Sequence, residues 1–90
     1  MAPETIELIK GKKSDLPELL ALIQELADYE QASQSVTNTV EQMEQDWESY
    51  EFFLDMEGDK AIGMAVYFFA YSTWVGKSLY LDDLYVKKEY

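Results

Sequence analysis

The run from Lys60 to Tyr71 constrains the fold most, because it is apolar on both of the faces that a strand would present. Side chains alternate between the two faces of a strand, and a strand with two apolar faces needs cover on both of them. The sequence therefore predicts a central strand in a sheet that is covered on both sides. It also predicts that the aromatic residues from Tyr67 to Tyr71 lie in the core.

Two further strand-like segments flank this run. The segment from Tyr50 to Met56 alternates with a period of two, and Glu57-Gly58-Asp59 supplies a turn before Lys60. A second turn, Trp74-Val75-Gly76, leads to a last strand at Lys77–Val86. The pattern predicts a three-stranded antiparallel meander, with Trp74 packed on the core beneath its turn.

The last strand carries two adjacent carboxylates, Asp82 and Asp83, at its middle. Aspartate is depleted in strands, and on a regular strand the two side chains would point to opposite faces. They would share a face only if the backbone bulges there. A solvated edge strand is the simplest explanation, but residues that break a local rule often mark functional sites.

Helical spacing of apolar residues from Leu16 to Ala27 predicts an amphipathic helix. We expect Asp15 to cap it in a capping box with Glu18, and the helix to end at 28–30. A shorter helix is predicted over 38–48, with a second capping box formed by Asn38 and Glu41. With a strand at Thr5–Lys10 before these helices, the fold class is α+β, an antiparallel sheet with helices packed on it.

Charge and composition limit the chemistry of the 90-residue chain. It contains 18 acidic and 7 basic residues, a net charge of −11, and neither histidine nor cysteine. Histidine-based catalysis and thiolate metal sites are therefore excluded, and an acidic surface repels nucleic acid but attracts amines. The sequence has no candidate membrane helix or signal peptide, so we expect a cytoplasmic protein without a metal.

Four segments together resemble the GNAT superfamily of N-acetyltransferases, and within it the spermidine/spermine and thialysine acetyltransferase branch. They are Glu25–Glu30 (ELADYE), Ile62–Phe69 (IGMAVYFF), Trp74–Lys77 (WVGK) and Leu79–Val86 (LYLDDLYV). The resemblance implies the N-terminal half of the GNAT fold. It also implies transfer of an acetyl group from acetyl-CoA to a primary amine, such as a polyamine or a lysine-like amine.

Site residues follow from the same resemblance. Asp82 matches the acid that accepts the amine proton, where the branch usually has glutamate, and we expect burial to raise its pKa. The main chain of Leu84, Tyr85 and Val86 matches the stretch that binds the cofactor. The substrate-binding positions are Tyr29, Glu30, Asp82 and Asp83.

The resemblance further implies that residues 1–90 form a single partial domain. It would lack the pyrophosphate-binding loop, the tyrosine general acid and the C-terminal half, so we expect the isolated chain to be inactive or nearly so. We also expect a homodimer or strand-swapped assembly through the edge at Leu79–Val86. A non-catalytic acidic module that binds a basic partner stays open as the alternative function.

Overall fold

Four antiparallel strands and one long helix form most of the chain that the computed structural model describes, which is residues 6–89. The sheet has the order β1-β2-β3-β4, in which sequential strands are neighbours. The strands are β1 (Ile6–Lys10), β2 (Glu51–Glu57), β3 (Lys60–Ser72) and β4 (Gly76–Val86); the helices are α1 (Leu16–Tyr29) and α2 (Val40–Gln45). The predicted α+β class and meander are confirmed, and β1 completes the sheet beside β2.

The helix starts differ from the predicted capping boxes. Asp15 does occupy the position before α1, but its carboxylate accepts a hydrogen bond from the Lys12 backbone N–H at 2.9 Å. This bond closes a 3₁₀ turn that precedes α1, so Asp15 caps that turn and not α1 itself. The helix nevertheless runs to Tyr29, where the sequence predicted its end.

The second helix is shorter than the predicted 38–48 and has a different cap. The Thr39 hydroxyl accepts from the Gln42 backbone N–H at 3.1 Å, while the Asn38 side chain accepts from Thr39 N–H. Thr39 has extended backbone angles and immediately precedes the first helical residue, so its side chain is the one that reaches the free N–H groups. After Gln45 the chain tightens into a 3₁₀ turn at Trp47–Ser49.

The hydrophobic core lies on one face of the sheet, beneath both helices. Its buried members come from every element except β1 and β4: Leu16, Leu19, Leu22, Met43, Phe52, Leu54, Met64 and Val66. Gly63 is buried in β3 between Ile62 and Met64, and a Cβ there would point to the opposite face and sit 2.8 Å from the Tyr85 carbonyl oxygen. Close packing therefore requires glycine at this position.

The opposite face of the sheet is not covered by either helix of the described chain, so the prediction of cover on both sides is wrong for residues 6–89. Phe69 is 49% exposed and Tyr71 is 77% exposed, outside the core in which we expected them. Aromatic side chains instead shelter one another across strands, as Phe53 and Tyr67 do with ring centroids 5.8 Å apart. The Nζ of Lys77 lies 4.5 Å from the centroid of the Phe69 ring.

Trp74 does not pack on the core; it is 93% exposed. Hydrogen bonds to the Ser72 side chain hold the turn instead, because its hydroxyl accepts from the backbone N–H groups of Trp74 and Val75. Gly76 ends the turn at φ +91°, a conformation that residues with a Cβ rarely adopt. No helix within residues 6–89 is long and apolar enough to cross a membrane.

Candidate active site

A β-bulge brings the two adjacent carboxylates of β4 to one groove. Strand β3 pairs Val66 with Asp83 but Tyr67 with Leu81, so Asp82 is an extra residue with no partner. Because the bulge interrupts the alternation of side chains, Asp82 and Asp83 both line the same groove. This is the one arrangement in which the sequence allowed the two acids to act together.

The groove has a volume of about 520 Å³, and its lining combines apolar side chains with the carboxylates of Asp46, Asp82 and Asp83. Ile23 of α1 and Phe68 of β3 contribute to its walls, and Asp46 and Tyr50 line it from the segment between α2 and β2. The Tyr50 hydroxyl donates to the Met43 carbonyl oxygen at 2.9 Å. An apolar cleft with a few carboxylates suits an organic cation, whose carbon chain and ammonium groups need different surroundings.

Asp83 is the more buried of the two carboxylates, whereas we expected Asp82 to be buried. Asp82 is exposed, and Asp83 is half-buried because it occupies the position opposite the buried Val66. Burial raises the pKa of Asp83, and the nearby charges of Asp82 and Glu30 raise it further. A carboxylate of this kind is a stronger base than a solvated one.

A second groove, of about 390 Å³, lies between the end of α1 and the end of β4. Tyr29 and Glu30 line it from the helix, and Leu84, Tyr85 and Val86 line it from the strand. The structure therefore separates the predicted substrate residues: Tyr29 and Glu30 adjoin the predicted cofactor stretch, while the two aspartates face the first groove. Glu30 links the two sites, since its charge acts on Asp83.

The main chain of β4 has a free edge beside this second groove, because β4 is the last strand of the described sheet. The Lys87 N–H donates to the Ile62 carbonyl oxygen at 2.8 Å, and Val86 is paired with Gly63. In an antiparallel pair, this pattern turns the N–H and C=O groups of alternate residues away from the neighbouring strand. The polar main-chain groups of Leu84 and Val86 therefore point outwards, available to an extended ligand.

Glu25 is a site neighbour that the sequence reasoning missed. Its carboxylate accepts from the Tyr85 hydroxyl at 3.2 Å and forms an ion pair with the Lys87 ammonium at 2.5 Å. Burial raises the pKa of Tyr85, and the hydrogen bond to Glu25 is the main reason that the pKa of Lys87 is raised. The partners are 60 and 62 positions away, so no local pattern could have revealed them.

Comparison with known proteins gives the same assignment as the motifs. The chain is 33% identical to a thialysine N-epsilon-acetyltransferase of Caenorhabditis elegans over 97% of its own length and 56% of the relative. It is 34% identical to the Bos taurus protein of the same name, over 90% of the chain and 55% of the relative. The chain is a homologue of part of an acetyltransferase. The predicted resemblance is confirmed, and the chain spans about half the length of these curated relatives.

Two further proteins are similar to this chain, one in sequence and one in fold. A human spermidine/spermine N(1)-acetyltransferase-like protein 1 is 34% identical over 89% of the chain and 13% of that protein. The fold matches the crystal structure of a possible acetyltransferase from Clostridium difficile 630 with a TM-score of 0.71, at 21% identity, over 96% of this chain and 60% of the other. No family model matches the chain. Within residues 6–89, no group of three or more acidic side chains is placed to hold a metal ion.

Proposed function

We propose that this chain carries the amine site and part of the acetyl-CoA site of an N-acetyltransferase. The observation that supports this most is the bulge at Asp82, which brings two carboxylates to one groove directly before a strand edge with free main-chain groups. Both partners of an acetyl transfer then have surfaces of suitable chemistry on neighbouring parts of β4. The homologues are named for the same activity, which supports the proposal.

The proposed acceptor is a small cationic primary amine, either a polyamine or a lysine-like amine. The relatives are named for thialysine and for spermidine and spermine. The first groove offers what such a molecule needs, carboxylates for its ammonium groups and apolar walls for its methylenes. The net charge of −11 would also attract a cation over a distance.

Asp82 is the proposed proton acceptor, and Asp83 is a second candidate for the same role. One ammonium proton passes to a carboxylate, directly or through one water. The neutral nitrogen then attacks the thioester carbonyl carbon, the C–N bond forms and the C–S bond breaks. The new amide loses a second proton while the departing CoA thiolate gains one.

The proposed cofactor contact is the stretch Leu84, Tyr85 and Val86, with main-chain hydrogen bonds from the outward-facing groups of Leu84 and Val86. Tyr29 and Glu30 line the same groove from α1. An extended pantetheine arm would lie against the free edge of β4 as an added strand does. Such preorganised N–H groups also stabilise the charge that develops on the thioester oxygen.

We further propose that residues 1–90 act as a partial domain in a cytoplasmic protein. Because the chain spans about half the length of its curated relatives, the pyrophosphate-binding loop and the general acid would come from a segment that corresponds to the rest of those relatives. The 90-residue polypeptide alone should acetylate spermidine or thialysine slowly or not at all. Turnover at rates near those of a full-length acetyltransferase would contradict this proposal.

Calorimetric titration of the 90-residue chain tests the function directly. We expect measurable binding of spermidine that weakens at least several-fold in Asp82→Asn and Asp83→Asn, and weak binding of acetyl-CoA that neither substitution changes. Binding of a basic peptide without any binding of acetyl-CoA would favour the non-catalytic acidic module instead.

The proposed assembly is a homodimer or strand-swapped pair through the edge at Leu79–Val86. The outer edge of β4 is unpaired in the described chain, and Leu79, Leu81 and Leu84 are each about 60% exposed. Long apolar edges of this kind tend to pair with another chain. Light scattering should detect a dimer that Leu81→Lys weakens, and a monomer at every concentration would refute the assembly.

A further inference from the structure

We propose that Glu25 is a positioning residue that holds the cofactor-facing end of β4 in place. The inference rests on the proposed function of Leu84–Val86, but it concerns a residue on α1 that touches neither proposed substrate. Glu25 acts through two side chains at the end of β4, Tyr85 in the strand and Lys87 just after it, which it binds at the same time.

The two oxygens of the Glu25 carboxylate bind different partners. One oxygen, Oε1, accepts from the Tyr85 hydroxyl at 3.2 Å, and the other, Oε2, pairs with the Lys87 ammonium at 2.5 Å. The ion pair is partly shielded from water, since the Lys87 side chain is only 20% exposed and that of Glu25 38%. Hydrogen bonds to a charged group are among the stronger ones in proteins.

The two bound residues flank Val86 and lie on the same face of the strand. Fixing both therefore fixes the peptide groups between them, including the outward-facing N–H and C=O of Val86. Tyr85 is a residue of β4, whereas Lys87 lies just beyond its end, where only the bond from Lys87 N–H to the Ile62 carbonyl continues the ladder. The end of an edge strand frays easily because it has a neighbouring strand on one side only. The contacts with Glu25 oppose that fraying.

A second glutamate supplies a closely matched control. Glu51 accepts from the Tyr67 hydroxyl at 2.9 Å and pairs with the Lys10 ammonium at 3.2 Å, so it also joins one tyrosine and one lysine. It projects from the opposite face of the sheet, because its position in β2 alternates with the buried Phe52 and Leu54. Glu51→Gln therefore removes a similar charge and a similar pair without touching the end of β4.

Hydrogen exchange of individual amides in the 90-residue chain is the primary test. We expect Glu25→Gln to speed exchange at the Tyr85 and Lys87 amides by about tenfold, because the neutral side chain keeps the tyrosine contact but loses the ion pair. Lys87→Met should produce a similar change, and combining it with Glu25→Gln should add little, because both remove the same interaction. Glu51→Gln should leave these amides within about twofold of the wild type while affecting amides near Tyr67.

Ligand binding gives a readout that general loss of stability would not produce. Glu25→Gln should weaken acetyl-CoA binding by about fivefold and leave spermidine binding unchanged, since the aspartate groove is separate from Glu25. Unchanged exchange at Tyr85 and Lys87, or equal weakening of both ligands, would overturn the positioning role. If the wild-type chain binds no acetyl-CoA, the proposed cofactor site fails, and the exchange data alone then decide whether Glu25 orders the end of β4.

Discussion

Two neighbouring aspartates of β4 occupy different environments, although nothing in their order along the chain distinguishes them. Asp83 stands opposite the buried Val66 and near Glu30, while Asp82 is the unpaired residue of the bulge and is exposed. The sequence predicted that the pair was unusual and that sharing a face required a bulge. It could not predict which carboxylate is buried, because that depends on the register between β3 and β4.

The raised pKa of Asp83 leads to a prediction about stability. A carboxyl whose pKa is higher in the folded state binds its proton more tightly when folded, so its contribution becomes unfavourable as the pH rises above its ordinary value. Asp83→Asn should therefore raise the thermal midpoint by a few degrees at pH 7 and have little effect near pH ~3, where the aspartate is protonated in both states.

Calorimetric melts at the two pH values measure this difference, with the exposed Asp82→Asn as the comparison. At pH 7, Asp83→Asn should raise the thermal midpoint more than Asp82→Asn does. A gain of equal size at both pH values, or a loss at pH 7, would show that the charge of Asp83 is not the cause.

Gly63 carries a steric prediction at the same scale. A Cβ added there would lie 2.8 Å from both the Tyr85 carbonyl oxygen and the Asp55 carboxylate, and the carbonyl belongs to the backbone and cannot rotate away. Gly63→Ala should lower the free energy of unfolding by about 1–3 kcal/mol in urea denaturation. Gly58→Asn is the control, since that turn has open space and φ +62°, which asparagine tolerates; equal losses for both variants would contradict the packing argument.

At the scale of elements, period and turn chemistry predicted the strands well. The expected strand from Lys60 to Tyr71 is observed as Lys60–Ser72, and the turns at Gly58 and Gly76 are both present. The cover of the sheet was predicted less well, because apolar alternation identifies which side chains avoid water but not what lies over them. The apolar faces of both helices pack on the side of the sheet that carries Phe52.

The two faces of the sheet should therefore differ in mutational sensitivity. Phe52 is fully buried beneath the helices, and Phe69 is about half-exposed on the other face. We expect Phe52→Ala to cost about 3–5 kcal/mol of unfolding free energy, a large part of the stability of a small domain. Phe69→Ala should cost under about 1 kcal/mol. Guanidinium titrations of both variants, followed by tryptophan fluorescence, make the comparison, and similar midpoints would mean that the second face is also packed.

At the scale of the whole molecule, the site depends on contacts that no segment contains. The first groove needs α1, α2, β3 and β4 together, and the second joins Tyr29 to Val86. The resemblance to acetyltransferases indicated these residues because their positions match motif positions of that family, in which the whole fold is present. Glu25 lay within a resembling segment and was still missed, since its partner Lys87 is outside the motifs.

The net charge of −11 on 90 residues makes self-repulsion a property of the entire chain. Salt screens repulsion over distances beyond ~8–10 Å at moderate ionic strength, and the unfolded chain spreads its charges further apart. We predict that the free energy of unfolding rises by ~1 kcal/mol or less between about 20 mM and about 300 mM NaCl. Urea titrations at the two concentrations test it, and a fall in stability would mean that attractive ion pairs dominate.

The pairing of β3 with β4 does not depend on Asp82, the bulged residue that lines the first groove. If Asp82 is skipped, the side chains of β4 alternate in one unbroken series: Tyr80, Asp83 and Tyr85 lie on the helix side, and Leu81, Leu84 and Val86 on the other. Asp82 is thus an insertion in a strand whose pattern is complete without it. A chain from which Asp82 is deleted should keep the pairing partners of β4 on both sides of the deletion while losing the bulge. Such a deletion would keep the fold while taking one of the two carboxylates away from the first groove.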